Sequence, residues 1–383
     1  MPETNNNQFV VTFPNSIVWA FNPNYIEITA PSDSPVNYVN VIVGNNPAIR
    51  VALYGGHAKV YISRLLQICF TSPKTERVKT INIQVWTPEI YVPSGHGGII
   101  IWDDEILAPE NIGETDLTVV WGGINLGERA FNYGVYNYDK GRGWLTSHIQ
   151  FFINYPFTLE LLVANGSTLN RRTNRTGYSL VDTYTADQLV TLSKSAVKGR
   201  LGYKGDVAVY RQELVGLNEG GTFDTSFDYT FHTPADTSVI TYVHFRTEKE
   251  GYYLRWVNHF GFIQYYLFDK GNRITKTKRT SLVPEDTLMD GMYFGNSART
   301  MGINSERSVK MCAMNLDENT LTYVQDIVSA PFIDLYIGKD KNENEIWMPV
   351  RVADNSYTVK TLHNYLSDFE ITIELPNHIT QTL

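Results

Sequence analysis

The side chains best suited to chemistry in this chain sit in arrangements that stop short of a working site. Gly122-Gly123-Ile124-Asn125-Leu126-Gly127-Glu128-Arg129 has the glycine spacing of a phosphate-cradling loop. Glu128 stands where such a loop needs a lysine to neutralise phosphate, so the charge is wrong for a nucleotide. Gly95-His96-Gly97-Gly98 has the look of an oxyanion-hole loop, but no G-x-S-x-G elbow accompanies it, and a turn is the better reading. The eight histidines never pair at metal-ligand spacing on one element. Asp103-Asp104-Glu105 could offer glycosidase carboxylates or calcium oxygens. A glycosidase pair needs about 5–10 Å of separation across a cleft, which adjacent loop residues do not encode, so a solvated acidic loop is the plainer reading. No catalytic, cofactor-binding or metal-ligating residue is assigned.

Chemistry of another kind is concentrated in Gly251–Thr280, which reads as three consecutive antiparallel strands with turns at Asn258–Gly261 and Asp269–Asn272. The first two runs are aromatic and apolar. In the third, Arg273, Thr275, Thr277 and Arg279 alternate with Ile274, Lys276, Lys278 and Thr280. A strand polar on both faces is not a buried core strand; it is an edge, an arm or a partner surface. Three readings of the basic set Lys270, Arg273, Lys276, Lys278 and Arg279 stay open: a solvated edge protected by charge, a contact with the acidic surface of a neighbouring subunit, or, least favoured, nucleic acid. The acidic stretch Asp103, Asp104, Glu105, Glu110, Glu114 and Asp116 is the candidate counterpart, and opposite signs in separate places suit head-to-tail rings. The Gly- and Tyr-rich stretch Asn125–Trp144, with Arg129, Tyr133, Tyr136 and Tyr138, reads as a long surface excursion that contacts another subunit.

The elements that must position these residues are mostly strands. Aromatics make up 13% of the 383 residues and Val, Ile and Thr abound, the vocabulary of sheets. A length of 383 residues predicts two or three domains. We read 1–90 as an N-terminal β-sandwich, 91–172 as a β unit continuous with the first or separate from it, and 173–383 as a C-terminal β-rich domain carrying the aromatic ribbon 251–280. The expected class is all-β, mainly antiparallel sandwiches or barrels. One short C-terminal helix is expected, Asp317–Ser329, with Asp317 as cap and Pro331 as stop; Ser63–Phe70 reads as a helical turn, with Ser63 as cap and Leu66, Cys69 and Phe70 inward, or as a buried strand. Residues 281–306, with Pro284, Gly291, Gly295 and Gly302, read as loop-rich. The net charge of −8 argues against a general nucleic-acid or membrane-surface role. Cys69 and Cys312, far apart in apolar runs, read as buried free thiols. The start of the chain shows no secretory pattern, and no apolar run approaches the ~20 residues needed to span a bilayer, so folding in a cytoplasm is expected.

Several stretches bear a family resemblance. Leu254-Arg255-Trp256-Val257-Asn258, a Gly turn and Tyr265-Tyr266-Leu267-Phe268 resemble a ribbon of structural proteins from tailed phages and prophages of gut bacteria. The C-terminal order is similar: a helix over Asp317–Ser329, then Ile333–Tyr336, Ile346-Trp347-Met348-Pro349-Val350, and Leu366-Ser367-Asp368-Phe369. Val120–Asn125 and Asn154–Thr158 fit the same pattern. The resemblance implies a non-enzymatic virion subunit of the tail, baseplate or connector region, made in the bacterial host cytoplasm, whose partners are other virion proteins and itself, as a ring-type oligomer. It supplies no active-site residues. The alternative is a receptor- or carbohydrate-binding adhesive β-sandwich, since exposed Tyr and Trp suit sugar faces, and a glycan stays open as a partner.

Overall fold

The computed structural model describes residues 3–6, 9–32, 34–92, 105–124, 130–131, 134–135, 137–139, 144–152, 154–163, 168–172, 179–185, 188–193, 226–232, 238–246, 250–269, 271–289, 292–361 and 366–376. For several strand segments, among them 277–289 and 292–305, the backbone alone is described. The class is all-β, as the composition predicts, with two short helices among the described residues.

Short strands with alternating burial build the first part. In chain order they are β1 (Glu3–Asn6), β2 (Phe9–Thr12), β3 (Ile17–Trp19), β4 (Tyr25–Thr29), β5 (Tyr38–Val43), β6 (Ile49–Ala52) and β7 (His57–Tyr61), then helix α1 (Ser63–Ile68), β8 (Val78–Trp86), β9 (Ile90–Val92), β10 (Glu105–Leu107) and β11 (Asn111–Val120). A four-stranded sheet, β1-β2-β4-β7, faces a five-stranded one, β3-β11-β8-β5-β6. Period-2 alternation sends Ile26, Ile28, Val39, Val41, Ile81, Ile83 and Val119 into one shared core, while Tyr25, Glu27 and Glu114 face outward. The second sheet draws β11 from beyond residue 90 and pairs it in parallel with β3. Helix α1 forms with Leu66 and Phe70 buried, but Ser63 does not cap it; the cap position is Ile62, with no side-chain acceptor. The Ser63 hydroxyl donates to the Asn22 carbonyl at 2.6 Å and accepts the Asn24 N–H at 2.8 Å, tying the helix to the β3–β4 connection instead.

The middle of the chain holds β12 (Ala130–Phe131), β13 (Gly134–Val135), β14 (Asn137–Asp139), β15 (Trp144–Phe152), β16 (Thr158–Val163), β17 (Thr168–Arg172), β18 (Ser179–Thr183), β19 (Gln188–Ser193), β20 (Ser226–His232) and β21 (Ser238–Arg246). A six-stranded sheet runs β14-β15-β21-β20-β17-β18, so it takes strands from both sides of residue 172; β16 and β19 form a separate pair. Phe151, Phe152, Phe157, Leu159 and Leu162 are buried in the same cluster as the aromatic residues of the C-terminal part.

That C-terminal part comprises β22 (Tyr252–Val257), β23 (Ile263–Phe268), β24 (Arg273–Met289), β25 (Met292–Leu316), helix α2 (Glu318–Gln325) with a 3-10 turn at Asp326–Ser329, then β26 (Ile333–Lys339), β27 (Glu345–Thr361) and β28 (Ser367–Leu375). The seven-stranded order is β23-β22-β26-β27-β28-β25-β24. The aromatic ribbon therefore departs from the three-strand expectation. Strands β22 and β23 form the predicted hairpin, but β24 lies against β25 and not against β23. At Asp269 the backbone N–H donates to the Cys312 carbonyl of β25 at 2.8 Å, so the sheet curls until β23 meets β25. Gly271 permits a close approach to β25: a Cβ there would fall 1.2 Å from the Lys310 carbonyl oxygen. The expected loop at 281–306 is a correction too, since 281–289 and 292–306 belong to strands β24 and β25.

Helix α2 follows the sequence closely. Asp317 accepts the Thr320 N–H at 2.7 Å, Val324 and Ile327 are fully buried, and the chain turns extended at Ala330, before Pro331. Tyr323 on this helix exchanges two hydrogen bonds with the Tyr265 backbone, each 3.0 Å, locking helix to sheet.

Buried polar contacts join the three stretches of chain. Arg77, just before β8, pairs with Glu160 of β16, whose other carboxylate oxygen accepts the Ile263 N–H of β23 at 2.8 Å. Lys74 and Arg255 both reach Asp334, at 2.7 and 3.0 Å. The Trp19 indole donates to the Phe260 carbonyl at 3.1 Å, and Gly122 packs so closely that a Cβ there would lie 2.3 Å from the Phe260 carbonyl carbon.

Candidate interaction surfaces

The feature that stands out is a two-stranded arm. Strand β25 pairs with β28 only from Arg307 onward, and among the described residues β24 and β25 beyond Lys276 and Glu306 pair only with each other, up to Met289↔Met292. At ~3.4 Å per residue this ribbon is roughly 45 Å long. A lone two-stranded hairpin is marginally stable in water. Along its sequence Arg273, Lys276, Lys278, Arg279, Glu306 and Arg307 fall near the sheet, and Glu285, Asp286 and Arg299 lie farther out. Register shifts after Arg279 and Ser281, together with Pro284, break the ladder and blunt the β24 edge against open-ended pairing.

At the base of the arm the outer face of β24, β25, β28 and β27 forms a cleft of about 810 Å³. Lys276, Arg307 and Arg351 supply positive charge there, Glu306 and Glu374 negative charge, and Ile274, Val350 and Leu375 apolar surface. Arg351 is paired with Glu374, and Arg307 donates to the Pro376 carbonyl at 3.4 Å.

Of the residues singled out from sequence, Arg273 and Lys276 are exposed on β24, at the sheet's edge, and Arg273 donates to the Tyr252 hydroxyl at 3.2 Å. Lys278 and Arg279 occupy strand positions in β24; Glu105 lies in β10 and Tyr138 in β14, opposite Leu145. Asp103, Asp104, Arg129, Tyr133, Tyr136 and Lys270 lie outside the described residues. The acidic stretch is not one loop: Glu114 and Asp116 stand on β11, because alternation there puts them on the outer face while Ile112 and Leu117 go inward. Hydrogen bonds from Asn82, Gln84 and Asn111 hold the Glu114 carboxyl below its usual range. Among the described residues no ion pair joins Arg273 or Lys276 to Glu114 or Asp116.

Sequence reasoning missed two surfaces. One is the distal arm, where Gly295 and Gly302 were read as breaks. The other is the outer face of β4 and β7, where Tyr25 and Tyr61 lie 6.0 Å apart, the Lys59 ammonium sits 3.4 Å over the Tyr25 ring, and Tyr61 and Tyr54 are largely exposed. The alternation of Tyr25, Glu27 and Thr29 with Ile26 and Ile28 was the available signal.

Three buried tyrosines surround the C-terminal core. Burial pushes the Tyr265 hydroxyl up to about 12 and raises Tyr253 and Tyr323 above their ordinary value. Among the described residues no three His, Cys, Asp or Glu side chains converge to hold a metal, and no helix is long and apolar enough to cross a membrane.

No family model matches the chain, and no curated protein matches it. Among solved structures the chain is similar to the plexin A4 extracellular region, domains 1 to 10, at 9% identity and a TM-score of 0.20, over 96% of this chain and 31% of that one. The chain thus spans less than a third of that protein, and a likeness so slight carries no weight for function.

Proposed function

We propose that this chain is a non-enzymatic structural subunit of a phage virion, of the tail, baseplate or connector region, made in the bacterial cytoplasm and working by assembly with copies of itself and other virion proteins. The observation that carries this reading is the arm: a ~45 Å ribbon whose two strands, among the described residues, pair only with each other is what a subunit extends to a neighbour. The resemblance of the Leu254–Phe268 ribbon and the C-terminal strands to phage structural proteins supports the setting. Native mass measured by mass photometry over a concentration series tests it. A discrete multimer that grows in population with concentration is expected; a strict monomer at every concentration would overturn self-assembly. A second reading, a receptor- or carbohydrate-binding protein, is favoured by the exposed Tyr25, Tyr54 and Tyr61 group. Reproducible glycan-array hits that Tyr61→Ala abolishes would put that reading first.

A further inference from the structure

We infer that the outer face of β4 and β7 binds a neutral, linear oligosaccharide, which stacks on Tyr61 and hydrogen-bonds to Glu27 and Lys59. This rests on the second reading above and names its ligand class and contacts; it holds whether or not the chain assembles. The antiparallel register sets three pairs side by side on that face: Tyr25 with Tyr61, Glu27 with Lys59, and Thr29 with His57. Alternation sends Ile26, Ile28 and Val60 to the core. Ring pair, charge pair and hydroxyl–imidazole pair therefore follow one another along ~14 Å of strand. Strand β7 is the last of its sheet, which leaves one side of this row open. Tyr54, in the turn before β7, stands exposed beyond the His57 end.

The polar groups of the row are held in place. The Lys59 ammonium sits 3.4 Å over the Tyr25 ring and donates to the Glu27 carboxylate at 2.9 Å, so the cation covers Tyr25 and leaves Tyr61 as the open ring. The Thr29 hydroxyl and His57 Nδ1 are hydrogen-bonded at 3.1 Å. A pyranose presents a C–H face and a rim of hydroxyls. The Tyr61 ring takes the first, and a carboxylate beside an ammonium, one accepting and one donating, takes the second. Charge selects the ligand class. Glu27 and Lys59 are the charged residues of the two strands and cancel each other, so the row draws neither an anionic nor a cationic ligand. A second copy of the chain fits this face less well. The centre of a protein interface is depleted in charged side chains, and here the ion pair stands in the middle of the row.

A printed array of neutral and sialylated oligosaccharides, probed with the full chain, tests the site. Wild type, Tyr61→Ala, Tyr61→Phe and Glu27→Ala are compared, and circular dichroism verifies that each variant folds. Hits among the neutral glycans are expected. Affinity for the strongest of them, measured by biolayer interferometry, should fall about tenfold or more in Tyr61→Ala and in Glu27→Ala, and stay near wild type in Tyr61→Phe, which keeps the ring. Hits whose affinity neither alanine variant moves overturn this site while leaving the glycan reading standing elsewhere on the chain. Hits confined to sialylated glycans overturn the neutral class, and a loss in Tyr61→Phe as large as in Tyr61→Ala overturns ring stacking as the contact. A blank array overturns both the site and the second reading; if Tyr61→Ala then also weakens the multimer in mass photometry, the face is a contact between subunits.

Discussion

Replacing Arg77 by methionine isolates one of the contacts that tie the N-terminal sandwich to the rest. The Arg77 and Glu160 side chains are 5% and 4% exposed, so the change strands a carboxylate where water cannot reach it. Breaking a buried pair in this way costs about 3–5 kcal/mol. Adding Glu160→Gln removes the stranded charge while keeping an oxygen for the Ile263 N–H, and should bring the cost back to about 1–2 kcal/mol. The pH response has a definite sign. Burial pushes the Glu160 carboxyl up while Arg77 pulls it down, so in Arg77→Met it rises further. A carboxyl with a raised folded-state pKa stabilises most when protonated, below its unfolded value, and that contribution is lost as pH climbs through the folded value. The variant's deficit should therefore shrink between about pH 8 and about pH 5. Urea unfolding of the four members of the cycle at both pH values measures this. A deficit below ~1 kcal/mol, or no rescue by Glu160→Gln, would mean that Glu160 carries no buried charge and the account is wrong.

Two further outcomes follow from the C-terminal part. Asp317→Ala removes the acceptor for the Thr320 N–H and should cost about 1 kcal/mol in thermal unfolding, with Asp317→Asn nearly neutral. Alkaline unfolding should begin above about pH 10: unfolded tyrosines ionise there while Tyr265, at about 12, and the raised Tyr253 and Tyr323 keep their protons, so stability complete below that pH drains away as it rises toward the folded value. Tyrosinate absorbance should then show a cooperative step coincident with loss of structure, and a smooth titration of all tyrosines in a folded protein would contradict it.

Much of the fold is legible in the chain because alternation is a local signal. Ile26 and Ile28 against Tyr25 and Glu27, or Phe369, Ile371 and Ile373 against their polar neighbours, announce half-buried strands without knowledge of partners. Asp317 and Pro331 likewise mark helix ends locally. Pairing is not local. The hairpin β22–β23 was readable from its turn, but that β24 leaves β23 for β25 depends on the contact of Asp269 with Cys312, forty-odd residues away. The distal arm was hidden for a different reason: its sequence carries no sustained apolar alternation, and Gly295 and Gly302 look like breaks when they are strand residues. Of the interaction surface, the base at Arg273 and Lys276 was visible as a polar strand; the cleft was not, since it is assembled from four strands of distant sequence.

Strand β25 has a mechanical consequence. It runs unbroken from the arm's tip at Met292 into the curled sheet at Leu316, where β28 holds it on one side and Asp269 meets it on the other. A pull on the tip is therefore a pull along the strand, loading many cross-strand hydrogen bonds together in shear instead of peeling them one at a time. The arm's anchor is as strong as the sheet it belongs to.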